Sequence, residues 1–294
     1  MIEIKVSIIL PIYNASRTIV DCLKSAMNQD YQDYELIIVD DDSSDDTLSI
    51  IKKFKDNRIR MFKNKENRGP GFTRNVAIKK SRGNIVLLLD SDTVVPESWI
   101  SKHVNEQKNA DIIGGSIFGV HKTVSGEADS FCSHFTSIPN AKRRYLKKFH
   151  MPTNNLSIKK NVFDKIGYFR EDFKNSEDAE FFSRVLNANI KVLFAPDILV
   201  NHLDREGLKN FLKHQYSWGV DFVKLRKKTK MEYNWLVPPN FILSLFYIIP
   251  LAGLHTIWLV GQWIRYKPRI ILYTPLIFIG KISQTIAISR SFLK

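Results

Sequence analysis

Two short apolar runs, each ending in a knot of carboxylates, constrain this chain more than anything else in it. Leu36-Ile37-Ile38-Val39 leads into Asp40-Asp41-Asp42-Ser43-Ser44-Asp45-Asp46, and Ile85-Val86-Leu87-Leu88-Leu89 leads into Asp90-Ser91-Asp92. Runs without polar alternation read as strands covered on both faces, the condition of a parallel sheet flanked by helices. Open sheets of that kind bind ligands in the crevice beyond the carboxyl ends of their strands. Carboxylates crowded there repel one another unless a cation or hydrogen-bond donors sit among them. The pattern therefore points to a metal site.

The first hundred residues alternate strand and helix signals, as βαβ units do. Val6–Leu10, Tyr34–Val39, Ile59–Phe62 and Ile85–Leu89 read as strands. Ile19, Val20, Leu23, Ala26 and Met27 recur at helical spacing. A second helix follows the acidic pair Asp45-Asp46, a third covers Phe72–Ile78, and Pro96 suits the opening of a fourth. Beyond Asp111–Phe118 the regularity weakens, and the basic segment Lys142–Lys148 reads as a loop. Helical signals return at Lys159–Ile166 and Glu177–Leu186, with a strand at Lys191–Phe194. Glu206–Lys228 reads as one basic amphipathic helix.

Cys22 and Cys132 have neither metal-ligand spacing nor the makings of a disulfide framework, which fits a reducing compartment. Met1–Lys5 lacks the charged start and apolar core of a cleavable signal peptide. Most of the +14 formal charge falls between Arg205 and Lys294. There Lys224, Arg226, Lys227, Lys228 and Lys230 precede Phe241–Ile264, a stretch free of Asp, Glu, Lys and Arg. A bilayer core needs about 20 helical residues. Basic residues that flank apolar segments favour a membrane surface over nucleic acid. Pro238, Pro239 and Pro250 argue against one straight helix. Arg265, Lys267 and Arg269 disfavour a full crossing under the positive-inside rule. A hairpin or two interfacial segments fit as well as spans.

Asp90-Ser91-Asp92 places two carboxylates where a strand turns, close enough to share a hard cation such as Mg²⁺ or Mn²⁺. The same triplet also describes an acidic strand-to-helix turn. Asp40-Asp41-Asp42 offers an acceptor for the N3–H of uracil, and Tyr13 a ring to stack on a base. A polar turn capped by Ser43 or Ser44 accounts for the serines equally well. Ser176-Glu177-Asp178 suits a catalytic carboxylate, or an N-cap and acidic first turn ahead of Phe181 and Phe182. His202 fits a ligand or a structural histidine.

From Val6 to His202 the chain resembles a family 2 glycosyltransferase of the GT-A type. The matching stretches are Val6–Asn14, Ile37–Asp45, Asn67–Gly71 with Arg74-Asn75, Leu89–Asp92, Gly167–Phe169, Ser176–Asp178 and His202. The resemblance implies a Rossmann-like α/β fold, a mostly parallel sheet flanked by helices, with a C-terminal membrane-associated helical segment. It divides the chain into a GT-A domain (1–204), a basic amphipathic connector (205–235) and hydrophobic helices (236–294). It implies that Pro11, Tyr13 and Asp41 hold base and ribose, with Arg74 and Ser91 near the nucleotide. Asp92 is then the direct metal ligand, Asp90 contacts ribose or metal-bound water, and His202 is a further metal or diphosphate contact. Asp178 is the general base, with Glu177 beside it.

The implied reaction is inverting transfer from a nucleotide-sugar donor, commonly a UDP-sugar, to a glycan or lipid-linked acceptor in cell-surface polysaccharide or glycolipid synthesis. A membrane-associated enzyme with its catalytic domain in the cytoplasm, using Mg²⁺ or Mn²⁺ and no nucleic acid, is expected. Asp42 stands where many relatives have glycine. Gln215-Tyr216-Ser217-Trp218 does not match the Q-x-x-R-W of processive synthases, which favours addition of one sugar. The basic residues of Lys142–Lys148 and of the Glu206–Lys230 helix are candidates for holding an anionic lipid carrier. Two other readings compete. Leu87–Thr93 resembles the D-x-D-x-T of a haloacid-dehalogenase-type phosphatase using Asp90 and Asp92, and the fold also suits a non-catalytic nucleotide-sugar-binding membrane protein.

Overall fold

The computed structural model describes residues 5–148, 151–229 and 238–293. Lys230 and the end of the expected connector lie outside the described residues. Val6–Ile12 (β1), Ile19–Met27 (α1), Tyr34–Asp40 (β2), Thr47–Ile51 (α2), Ile59–Lys63 (β3), Pro70–Lys80 (α3) and Ile85–Leu88 (β4) form the expected alternation. β3, β2, β1 and β4 lie side by side and parallel, with Leu10 opposite Ile38 and Ile9 opposite Leu88. Side chains alternate between faces along a strand. Ile9, Ile37, Val39 and Val86 enter one core, and Ile8, Leu10, Leu36, Ile38 and Leu87 the other. Both faces are covered, so these strands carry no polar alternation.

The second half makes the sheet mixed. Thr93–Val94 (β5), Trp99–Glu106 (α4), Ile112–Val120 (β6), Val124–Ser133 (α5), Arg144–Tyr145 (β7), Leu156–Lys159 (β8), Asn161–Ile166 (α6), Glu177–Asn187 (α7) and Val192–Leu203 (β9) follow. The strand order is β3-β2-β1-β4-β8-β6-β9-β5, with β7 pairing on β9. β8 runs antiparallel to β4 and β6, and β5 and β7 run antiparallel to β9, while β6 and β9 are parallel. The α/β class is as expected, but the parallel share of the sheet is smaller. β5, β7 and β8 are too short to leave a period in sequence. Pro96 does not open α4; it lies three residues earlier, and its carbonyl accepts from Gln29 Nε2 at 3.0 Å.

Leu208–Val220 (α8) and Phe222–Lys228 (α9) replace the single helix expected over Glu206–Lys228. The break falls at Asp221, whose Oδ2 accepts from the backbone N–H groups of Lys174 and Asn175 at 2.5 and 2.9 Å. Phe241–Trp263 (α10) runs unbroken through Pro250, against the expectation of an interruption, and Asn240 caps it by accepting from Leu243 N–H. Thr274–Arg290 (α11) returns antiparallel to α10. Thr285 and Ser289 hydroxyls donate to the Ile248 and Ser244 carbonyls.

The hairpin lies along the α/β domain with α11 between α8 and α10. A Cβ at Gly280 would overlap the Phe211 ring, and one at Gly219 would overlap the Gln284 carbonyl, so α8 and α11 touch through glycines. Both ends of the hairpin are fastened. Trp263 Nε1 donates to the Phe131 carbonyl at 2.9 Å, and Arg269 and Lys267 pair with Glu127 at 2.6 and 2.9 Å. At the other end Arg290 donates to the Tyr216 hydroxyl at 3.3 Å. By length and composition alone, Phe241–Trp263 and Pro268–Leu293 suffice to cross a membrane.

Candidate active site

A cleft of about 1260 Å³ opens beyond the carboxyl ends of β1, β2 and β4. Pro11, Tyr13, Asp41, Arg74, Asp90, Ser91, Asp92, Glu177, Asp178 and His202 all line it. Residues chosen from six separate stretches of sequence thus meet in one place. Tyr13 is half-exposed at the mouth, where a ring is free to stack.

Two interlocked loops floor the nucleotide end. Asn14 adopts a left-handed φ of 48°, and its Oδ1 accepts from the N–H groups of Ser44 and Asp45 at 2.9 and 3.3 Å. Neither Ser43 nor Ser44 caps α2. Its N-cap residue, Asp46, makes no side-chain cap either; Asp45 accepts from Thr47 N–H, while Ser43 Oγ accepts from Asn14 N–H. Asp42 has φ 65°, a conformation that glycine enters freely and aspartate tolerates. Asp41 is buried and gathers the glycine-rich loop: Oδ1 accepts from Asn64 Nδ2 and Arg68 N–H, and Oδ2 from Gly69 N–H. Oδ2 keeps one lone pair for a further donor.

Arg74, from α3, is buried and divides its guanidinium between Glu177 Oε1 at 2.6 Å and Asp90 Oδ1 at 2.9 Å. It therefore ties the end of β4 to the start of α7. Gly71 permits this approach, since a Cβ there would come within 3.3 Å of the Glu177 side chain. Burial pushes the Glu177 carboxyl up to about 7; Arg74 works against this and the neighbouring Asp178 adds to it. Asp178 faces the cleft from the first turn of α7, and Ser176 makes no side-chain cap. Removing the cation strands two carboxylates, one of them buried. Arg74→Met lowers stability by about 3–5 kcal/mol, read from urea midpoints.

Pairing of β5 with β9 sets Thr93 opposite His202 and so brings Asp92 to the imidazole. His202 Nε2 lies 3.3 Å from Asp92 Oδ1, a buried oxygen without a hydrogen-bond partner. On its other side His202 Nδ1 lies 2.8 Å from Asp204 Oδ1. Burial opposes a charge on His202, but Asp92 and Asp204 outweigh it and push the group up to about 10. Burial likewise opposes the Asp92 charge, and His202 and Arg205 outweigh it, holding the carboxyl well below its usual range. His134 completes the cluster, with one ligand atom each from His134, His202 and Asp204 within 4.8 Å of one another.

These donors fit a divalent ion. An orphaned carboxylate oxygen faces an imidazole nitrogen whose partner nitrogen is oriented by a second carboxylate, the usual support for a metal-bound histidine. Asp90, by contrast, is engaged by Arg74 through Oδ1. Sequence reasoning missed His134 and Asp204. The two-residue spacing from His202 to Asp204 at the end of a strand, which puts both on one face, was the available signal. Nothing in the polar α5 segment marks His134. A Cβ at Gly119 would overlap Asp204 Oδ2 and Ser130 Oγ. Gly119→Ala weakens Mn²⁺ binding about 10- to 100-fold by displacing the group that orients His202, measured by titration calorimetry.

Some of the basic residues proposed for a lipid carrier are engaged with acids of this chain. Lys224 and Lys228 pair with Asp172 at 3.1 and 2.6 Å. Lys142–Lys148 is not a free loop beside the site. Arg144-Tyr145 pairs with the start of β9, where Phe194 lies opposite Gly114 of β6; His202 lies opposite Gly119, five residues or about 17 Å further along β6. Arg143 there pairs with Glu106.

The likeness of this geometry to known proteins is extensive. The family model for glycosyl transferase family 2 matches residues 7–174. Glycosyltransferase GlyG of Streptococcus pneumoniae serotype 4 is 27% identical over 241 residues, 76% of this chain and 78% of the relative. An Escherichia coli protein, UDP-Glc:alpha-D-GlcNAc-diphosphoundecaprenol beta-1,3-glucosyltransferase WfaP, is 41% identical over 102 residues, 35% of this chain and 39% of the relative. Among solved structures, S. aureus TarS 1-349 in complex with UDP-GlcNAc matches with a TM-score of 0.57 at 18% identity, covering 98% of this chain and 90% of that one. The chain spans 55% of the longer TarS chain, which it also matches. A phosphatase reading of Asp90 and Asp92 has no place beside these matches. The acid-lined crevice at the strand ends and the match over most of the sheet have one reading: this chain is a glycosyltransferase and belongs to glycosyl transferase family 2.

Proposed function

We propose that the protein is an inverting enzyme that moves a sugar from a UDP-sugar to a hydroxyl of a glycan or lipid-linked acceptor in cell-surface polysaccharide or glycolipid synthesis. The observation that carries this is the convergence of Asp41, Asp92, Asp178 and His202 on one cleft. Pro11, Tyr13 and Asp41 receive base and ribose, while Asp90 is held by Arg74 beside the ribose. Asp178 takes the proton from the acceptor hydroxyl as that oxygen bonds to the anomeric carbon. The bond from that carbon to the diphosphate breaks, and its electron pair leaves with UDP. Glu177 stands beside Asp178, clamped by Arg74 and close to half-protonated near neutral pH. Asp92 and His202 would hold a divalent ion, which when bound would offset the charge of the diphosphate. Their mixed oxygen and nitrogen set favours Mn²⁺ over Mg²⁺, which prefers oxygen ligands. A panel of nucleotide sugars with Mn²⁺ or Mg²⁺, read by binding and slow hydrolysis, tests the reading. Binding without turnover of any donor, with or without acceptors, would favour a non-catalytic carrier.

Membrane association belongs to the same proposal. Only 28% and 33% of the two apolar windows are buried, whereas a soluble core helix is mostly covered. Phe246 and Ile257 are exposed on α10. Lys267 and Arg269, awkward for a crossing helix, sit against Glu127 on the catalytic side. With one end of the hairpin fastened to Phe131 and Glu127 and the other to Tyr216 of α8, an arrangement in the plane of the interface is favoured over spans. Phe246→Glu with Ile257→Glu abolishes flotation with anionic liposomes; undiminished flotation, or loss of a dimer in its place, refutes this.

A further inference from the structure

The cleft is larger than a nucleotide sugar needs, since pockets for ligands of that size are about 300–1000 Å³, and its two halves differ in charge. Asp41, Asp90, Asp92, Glu171, Asp172, Glu177 and Asp178 are the acids that line it, and all come from the α/β core; the lining contributed by residues 205–284 has none. That helical half carries Arg205, Lys213 and Lys281 instead. Lys281 is only 6% exposed, on a helix that packs against the catalytic domain. Its Nζ donates to Gln215 Oε1 at 3.0 Å and Gln284 Oε1 at 3.1 Å, and lies 5.4 Å from the centre of the Trp218 ring. Among the described residues no carboxylate reaches it. The acid one side chain away, Asp129, is taken up by His214 at 2.8 Å and by Gln215 Nε2 at 3.0 Å. An ammonium has three N–H donors, so one remains. A buried charge offset only by amide dipoles is costly, and an anion entering from the cleft relieves that cost.

We propose that this half of the cleft is a subsite for the phosphate group of a phosphate-bearing acceptor, with Lys281 on its floor and Arg205 and Lys213 at its rim. The proposal rests on the glycosyltransferase reading and names the class of acceptor. Two sources share the chemistry. One is a lipid diphosphate carrying a saccharide, its chain passing onto the exposed apolar face of α10. The other is a polyol-phosphate polymer.

The full chain, saturated with UDP and Mn²⁺ so that the donor site is filled, is titrated with three probes: farnesyl diphosphate, a glycerol-phosphate oligomer, and farnesol as the uncharged control. At least one phosphate probe binds the wild type, binds Lys281→Gln at least 10-fold more weakly, and regains affinity in Lys281→Arg; farnesol is indifferent to all three. Preference for farnesyl diphosphate assigns the lipid source, and preference for the oligomer the polymer. Equal binding of phosphate probes by wild type and Lys281→Gln overturns the subsite, as does no binding of either while UDP still binds. Failure of the wild type to bind UDP at all counts instead against the donor reading. Lys281→Met supplies an independent measurement: removing an uncompensated buried charge raises the Tm of the ligand-free protein. A lowered Tm makes Lys281 a structural residue and overturns the proposal.

Discussion

Asp178→Asn lowers sugar transfer by about 10²–10⁴-fold while the affinity for UDP stays within about twofold of wild type. The expectation follows from where the side chain stands. Asp178 faces the cleft from the first turn of α7, next to Glu177, which Arg74 ties to Asp90. Asparagine keeps the shape and removes the basic oxygen. The loss therefore appears in kcat, with little change in nucleotide affinity. Transfer at the wild-type rate would remove Asp178 from the mechanism, and a parallel loss of UDP binding would make it a structural residue.

The second large effect is at the other end of the cleft. Asp92→Ala lowers transfer by about 10²–10³-fold, the usual cost of losing one electrostatic contact to the developing charge. Unlike Asp178→Asn, it also weakens UDP binding in the presence of Mn²⁺ and leaves UDP binding in chelator unchanged. That contrast separates charge neutralisation from proton transfer. Removing the carboxylate also takes away the group that raises His202, so the imidazole becomes easier to deprotonate. Metal-dependent UDP binding that survives in Asp92→Ala would show that the ion is held elsewhere.

Local physics explains which features were legible in the sequence. β1, β2 and β4 were, because strands buried on both faces are apolar at nearly every position; the interior exceptions, Ser7 and Glu35, bond to each other. The acidic runs after β2 and β4 marked the crevice at the strand ends, and the structure puts Asp41, Asp90 and Asp92 on its wall. There Asp41 and Asp90 also hold the glycine-rich loop and Arg74. The antiparallel strands were not. β5 is two residues long, yet it carries Asp92 to His202 through its pairing with β9. Asp204 and His134 escaped because a single buried polar residue leaves no periodic mark; their role exists only after β9 and α5 have packed. Asp221 was similarly opaque, since the helix break it causes depends on a loop nearly fifty residues upstream. The basic residues near Lys224 show the converse. A charge run in sequence says nothing of an acid such as Asp172 that folding brings to it.

Glu127 gives the far end of the chain an importance beyond adhesion. Its carboxylate receives Lys267, Arg269 and Tyr273 from the turn between the last two long helices. His121 then bridges Glu127 to Asp204 at 3.4 and 3.5 Å, and Asp204 in turn steadies His202. Cutting away the hairpin to obtain a more tractable protein would strand that acid three side chains from the candidate cation ligands. The final helices are thus a wall of the reaction chamber, not a detachable tether.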